Sequence, residues 1–141
     1  MINPEKLRIF IEVCNQYNTK TFINSDINLA VEFGFCGIHL PSAMLGLVPA
    51  AKEAGLLVFA SCHSSQEIDM CEKFGADMIT LSPVFASPDK GEPLGVDRFD
   101  EMVVDCRLSV FALGGIIDEA QIEMVKNSKA AGFASIRYFI N

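Results

Sequence analysis

Six short apolar segments, at 21–24, 37–40, 56–61, 78–85, 109–113 and 133–139, recur along the 141-residue chain with amphipathic stretches between them. Strands that are apolar on both faces and alternate with helices predict a parallel sheet covered by helices. The spacing predicts helices over 4–16, 26–33, 42–53, 65–73, 96–105 and 118–127. Pro4 after Asn3 suits a helix start, with Leu7, Phe10, Ile11 and Cys14 at helical spacing. Gly34, Gly55, Gly75 and Gly132 are expected to close helices, and Asp118-x-x-Gln121 resembles a capping box. Phe10, Met70, Phe74, Phe99 and Met102 are expected in the core. A six-stranded part of a (β/α) barrel and an open doubly wound α/β sheet both fit. A whole barrel does not, since it needs about 200 residues at least.

The chain is long enough for one domain, 1–141, with a real core, and half of its residues are hydrophobic. A formal charge of −7 argues against nucleic acid or an anionic membrane as partner. The five cysteines have neither C-x-x-C spacing nor histidines at ligand spacing, so a disulfide framework or zinc site is not expected. Buried thiols, a charged and polar start, and apolar runs too short to span a bilayer fit a cytoplasmic protein.

The densest chemical signal lies at 77–95, where an apolar strand enters a Pro/Gly-rich loop carrying Lys90. Loops at the carboxyl ends of parallel strands are where such proteins place chemistry. A second strand, 109–113, ends in the pair Gly114-Gly115, ahead of a helix opened by Asp118. Bare amides near a helix start can approach an anion closely. An acidic chain with an anion site must gather positive potential locally, and Lys90 with these amides are the visible means.

Several motifs in order extend this reading. Thr21-Phe22-Ile23-Asn24 is similar to a strand ending in Ile-Asn-Asp, and Gly37-Ile38-His39-Leu40 to Gly-Val-His-Leu. Ser61-Cys62-His63-Ser64 matches Ser-x-His-Ser. Gly75-Ala76-Asp77 precedes Ser82-Pro83-Val84-Phe85, Lys90 and Pro93-Leu94-Gly95, and Ala112-Leu113-Gly114-Gly115-Ile116 completes the set. From about residue 7 to 139 the chain thus resembles the thiamine-phosphate synthase/TenI superfamily of (β/α)8 barrels. The family's first two strands, with a Gln-x-Arg-x-Lys motif, have no counterpart in these residues.

The resemblance implies thiamine synthesis. In the family a thiazole phosphate displaces pyrophosphate from hydroxymethylpyrimidine diphosphate, with magnesium neutralising the leaving group. Carried over, Lys90 and Ser87 would contact pyrophosphate and Ser61 the departing group. Gly114 and Gly115 would hold the thiazole phosphate, and Asn24 and His39 join the substrate-contacting set. Ser61, His63 and Lys90 are the candidate catalytic residues, His63 as acid or base. Departures from the pattern are equally specific. The metal-binding aspartates of the family fall at Ser25 and Met44, so no resident metal is expected, and magnesium would enter only through substrate pyrophosphate. Asp26 is read as a helix cap. The family's serine past the last strand falls at Ile140, and the tautomerase histidine of TenI proteins falls at Pro83.

Three functions follow: a synthase-like enzyme impaired on its own, a binder of a phosphorylated thiazole or thiamine ligand, and an interaction protein with a vestigial site. The two edge strands, 21–24 and 133–139, are apolar and invite pairing. Either self-association into a homo-oligomer or helix 4–16 folding over the gap is expected.

Overall fold

A computed structural model describes residues 3–140. All six strands lie in one parallel sheet, in sequential order. They are β1 (Phe22–Asn24), β2 (Gly37–Leu40), β3 (Leu57–Cys62), β4 (Met78–Leu81), β5 (Ser109–Leu113) and β6 (Gly132–Ala134). The helices are α1 (Pro4–Gln16), α2 (Ile27–Phe33), α3 (Val48–Glu53), α4 (Ser65–Phe74), α5 (Gly95–Val103) and α6 (Glu119–Lys126). A 3-10 helix, Ser42–Leu47, precedes α3 and splits the segment expected as one helix. Sequential parallel order with right-handed crossovers puts successive helices on the same side. A doubly wound sheet needs the strand order to reverse, and here it does not. The architecture is a half-barrel.

Burial alternates along the strands as that architecture requires. Ile38, Leu40, Val58, Ala60, Cys62, Ile79 and Leu81 point to the convex side and are wholly buried. The helices supply Ala30, Val48, Ala51, Ile68, Cys71, Phe99, Val103, Ile122 and Val125 to the same core. The opposite, concave face carries Phe22, His39, Leu57, Phe59, Met78, Phe111 and Leu113, all half-buried. Its aromatic rings form a row, with centroids 6.0 Å apart for Phe22–Phe59 and 5.4 Å for Phe59–Phe111. The sequence predicted helices on the sheet but not that one face would stay open.

The caps explain the helix starts. Asn3 Oδ1 accepts from the Glu5 and Lys6 amides, Asp26 from Leu29, Ser64 from Glu67 and Asp118 from Gln121. Asp26 is therefore a cap in fact. Gly34 and Gly75 close α2 and α4 in the left-handed conformation. Gly132 does not close a helix: α6 ends at Lys126, capped by Asn127, and Gly132 opens β6. A Cβ on Gly132 would lie 2.9 Å from the Phe111 ring, so close packing explains this glycine.

Two expected core residues are exposed, Phe10 at 50% and Met70 at 40%. On α1 the buried stripe is Leu7 and Ile11, and on α4 it is Ile68 and Cys71, which turns their neighbours outward. The Arg8 guanidinium lies over the Phe33 ring of α2, 5.6 Å from its centroid. Helix α1 thus joins the convex helical layer and does not cover the concave face.

Asp77, in the Gly-Ala-Asp stretch, lies at the amino end of β4. Its carboxylate accepts from the Val58 amide and from Lys52 Nζ, both at 2.7 Å. This residue ties α3 to the sheet, far along the strands from the loops that carry chemistry.

Candidate functional site

A cleft of about 470 Å³ opens at the carboxyl ends of β2 to β6. β2 leads to Pro41 and Ser42, and β3 supplies Ser61 and leads to His63. β4 leads to Ser82, Pro83, Ser87 and Lys90. β5 ends in Leu113 and leads to Gly114, Gly115 and Ile116, and β6 leads to Ser135 and Arg137. Lys90 and the Gly114–Gly115 turn therefore face one space. No aspartate or glutamate lines it, while two cations and five serines do.

Local hydrogen bonds hold the mouth in shape. Strand β4 stops at Leu81, not at 85 as expected, and a cis peptide joins Ser82 to Pro83. The Val84 and Phe85 amides donate to the Leu113 and Gly114 carbonyls at 2.9 and 3.0 Å. Leu94 and Gly95 amides return to the Pro83 and Val84 carbonyls at 2.8 and 2.9 Å, closing the loop that presents Ser87 and Lys90. Both glycines of the turn have positive φ, +102° and +69°. Their lack of side chains lets the 83–86 backbone lie directly against them. A Cβ on Gly115 would sit 2.4 Å from the Ala86 carbonyl oxygen.

Strand β6 is also shorter than expected and ends at Ala134. The first residue past it is Ser135, not Ile140, and Ser135 lines the cleft. Its hydroxyl donates to the Ile116 carbonyl at 2.7 Å, and the Tyr138 hydroxyl donates to Glu119. Phe139 stacks on Phe133 with centroids 5.9 Å apart. These contacts bring Arg137 to the rim. The sequence reading missed Arg137, Ser135, Ser82 and Ser42. The aromatic residues at 138–139 had extended the strand through the arginine. Among the described residues neither Lys90 nor Arg137 forms an ion pair.

Asn24 and His39 do not line the cleft; they lie behind it on the concave face. His39 Nδ1 is 2.9 Å from Asn24 Oδ1, and Nε2 is 2.8 Å from Ser61 Oγ. Thr80 Oγ1 donates to Ser61 Oγ at 3.4 Å. His63 is pinned at the end of β3, with Nδ1 3.1 Å from the Ser82 carbonyl and 3.2 Å from its hydroxyl.

Burial lowers the His39 pKa below the ordinary imidazole value of 6.5. The folded chain resists this proton while the unfolded chain accepts it, so stability rises with pH. The contribution is present above the unfolded value and is lost as pH falls from there toward the lower folded value. Urea midpoints should therefore drop on acidification from about pH 7 to 5, and His39→Gln should flatten that part of the decline. An unchanged slope in the variant would contradict it.

Magnesium needs one or two carboxylates beside substrate phosphates, and the residues here do not fit it. Ser25 has φ +64° and donates its amide to the His39 carbonyl at 2.9 Å. Met44 packs against the core. No group of three or more His, Cys, Asp or Glu side chains gathers among the described residues. No helix among them is long and apolar enough to cross a membrane.

Residues 5–139 match the family model described as thiamine monophosphate synthase (TMP-TENI). The chain belongs to this family. It is 32% identical over 141 aligned residues to a Geobacter sulfurreducens protein named "Putative thiamine-phosphate synthase", covering 96% of this chain and 66% of that protein. It is 27% identical to the thiamine-phosphate synthase of Prochlorococcus marinus strain MED4, covering 92% of this chain and 38% of the other. The thiamine phosphate pyrophosphorylase structure from Pyrococcus furiosus superposes with a TM-score of 0.78 at 21% identity, over 96% of this chain and 68% of that one. That likeness carries the fold. The chain thus spans between about two fifths and two thirds of these relatives' length.

Proposed function

We propose that this thiamine-phosphate synthase family chain binds the phosphate or diphosphate of a small thiazole, pyrimidine or thiamine ligand without a metal held by its own side chains. One observation carries this reading: on a chain of net charge −7, the cleft has Lys90 and Arg137 but no carboxylate. Turn amides at Gly114 and Gly115 and the hydroxyl of Ser87 add uncharged donors for phosphate oxygens. Synthase chemistry must neutralise a departing diphosphate. Without aspartates at 25 and 44, this chain's own means are Lys90 and Arg137, so turnover is impaired and binding remains.

Titration calorimetry with thiamine phosphate and thiazole phosphate, with and without magnesium, tests this. The expected result is binding that magnesium leaves unchanged. Lys90→Ala and Arg137→Ala should each weaken it about tenfold or more, as for loss of a hydrogen bond to a charged group. Turnover that requires magnesium would restore the synthase reading. Absence of binding would leave the interaction protein with a vestigial site.

We also propose that the open concave face and the β1 and β6 edges are covered by a second copy of the chain. Exposed apolar edges favour pairing, and this face offers a row of half-buried phenylalanines. Light scattering should give at least a dimer mass, and Leu57→Glu should shift it toward the monomer. A monodisperse monomer of the unmodified chain would overturn the proposal.

A further inference from the structure

Three adjacent strands line up a serine, a histidine and an asparagine. Asn24 and His39 are partners across β1 and β2, and Ser61 lies on β3 two residues beyond Phe59, the partner of His39. In the assigned orientation the His39 Nδ1–H donates to Asn24 Oδ1 across 2.9 Å, so Nε2 holds a lone pair. That lone pair faces Ser61 Oγ at 2.8 Å and accepts its hydroxyl hydrogen. Thr80 Oγ1 donates to the same oxygen at 3.4 Å. The Ser61 hydrogen is thereby engaged behind the cleft, and one lone pair is left for whatever occupies it. A hydroxyl so oriented is a poor donor to an anion, contrary to the role that the family resemblance implies for it. It is a suitable nucleophile.

We propose that Ser61, His39 and Asn24 form a nucleophile–base–orienter set, and that the cleft hydrolyses small esters that bear an anionic group. An amide in the third position is a chemically competent orienter, because it fixes the imidazole tautomer without a charge. Ser61 Oγ bonds to the ester carbonyl carbon while its proton passes to His39 Nε2. Collapse of the adduct breaks the bond to the alcohol oxygen, which takes that proton and leaves. Water then gives a proton to His39 and attacks the acyl-Ser61, releasing a carboxylic acid and restoring both side chains. The neutral form of His39, favoured by burial, is the form that accepts the proton. The anionic preference rests on the phosphate-binding reading above; the nucleophile rests only on the strand geometry.

The test uses the intact chain, a fluorophosphonate probe, and the 4-nitrophenyl esters of acetic and succinic acid. Mass spectrometry should locate the probe on Ser61, and the succinate ester should be cleaved faster than the acetate. His39→Ala should slow labelling by about a hundredfold or more, as for loss of a general base. His39→Gln, which preserves hydrogen bonding but cannot carry the proton, should lose it as fully. The labelling rate should rise with pH through one group titrating below the ordinary imidazole value, and Asn24→Ala should move that midpoint. Labelling of Ser61 no faster than of Ser87, or unchanged in His39→Gln, overturns the nucleophile. Equal rates on the two esters overturn the substrate class. Phosphate titration run in parallel separates the two readings, since either can fail while the other stands.

Discussion

Replacing Gly115 by alanine should abolish phosphate binding and lower stability by about 3 kcal/mol, near the upper end for single substitutions. Two costs act together. The residue sits at φ +69°, where a side chain costs about 1–2 kcal/mol. The added Cβ would also meet the Ala86 carbonyl oxygen at 2.4 Å and the Phe85 carbonyl carbon at 2.7 Å. Both contacts are backbone and cannot rotate away. The 83–86 segment must lift, and with it go the Val84 and Phe85 hydrogen bonds to Leu113 and Gly114 and the loop carrying Ser87 and Lys90. Gly34→Ala is the matched comparison: it has a similar φ of +73° but nothing within 4 Å of the new Cβ. Urea denaturation should show only the smaller backbone cost there, with phosphate affinity unchanged. Equal losses in the two variants would mean that the close approach is not what requires glycine.

Phe99→Ala should destabilise the fold by about 3–5 kcal/mol, the range for deleting a buried aromatic side chain. Phe99 is 1% exposed, the largest wholly buried side chain, and belongs to the core cluster shared by strands and helices. Helix α5 has one other buried residue, Val103, with Val96 and Met102 only partly buried, so loss of Phe99 removes its largest anchor. The same helix begins at Gly95, whose amide closes the Lys90 loop. Hydrogen exchange should therefore speed up across 82–103 before it does in β2 or β3. A loss under about 1 kcal/mol would place Phe99 outside the core on which the half-barrel rests.

The sequence made the framework legible because βα alternation is written in local composition. Strands β2 and β5 fall where the apolar segments predict them, and α1 runs over the expected 4–16. What was hidden depends on distant partners. Residues 82–85 are as apolar as a strand, yet they form a loop in which the Val84 and Phe85 amides bond to Leu113 and Gly114 at the end of β5. Phe133 and Phe139 look like one strand, but their rings stack because the chain turns back between them. That turn concealed Arg137, the second cation of the cleft. Phe10 and Met70 are apolar but point outward, since amphipathic spacing does not state which residues find a neighbour. Ser61, Lys90 and the glycine pair could be singled out from motifs. The line from Asn24 through His39 to Ser61 could not, because it follows strand register rather than chain order.

Placing two unpaired cations in a carboxylate-free pocket on a chain of net charge −7 separates the kinetics of capture from its strength. At long range a dianionic ligand meets net repulsion, which mobile ions damp beyond about 8–10 Å. At close range the same ions weaken its pairing with Lys90 and Arg137. Raising ionic strength should thus quicken arrival and hasten departure together, the reverse of the usual pattern for a steered association.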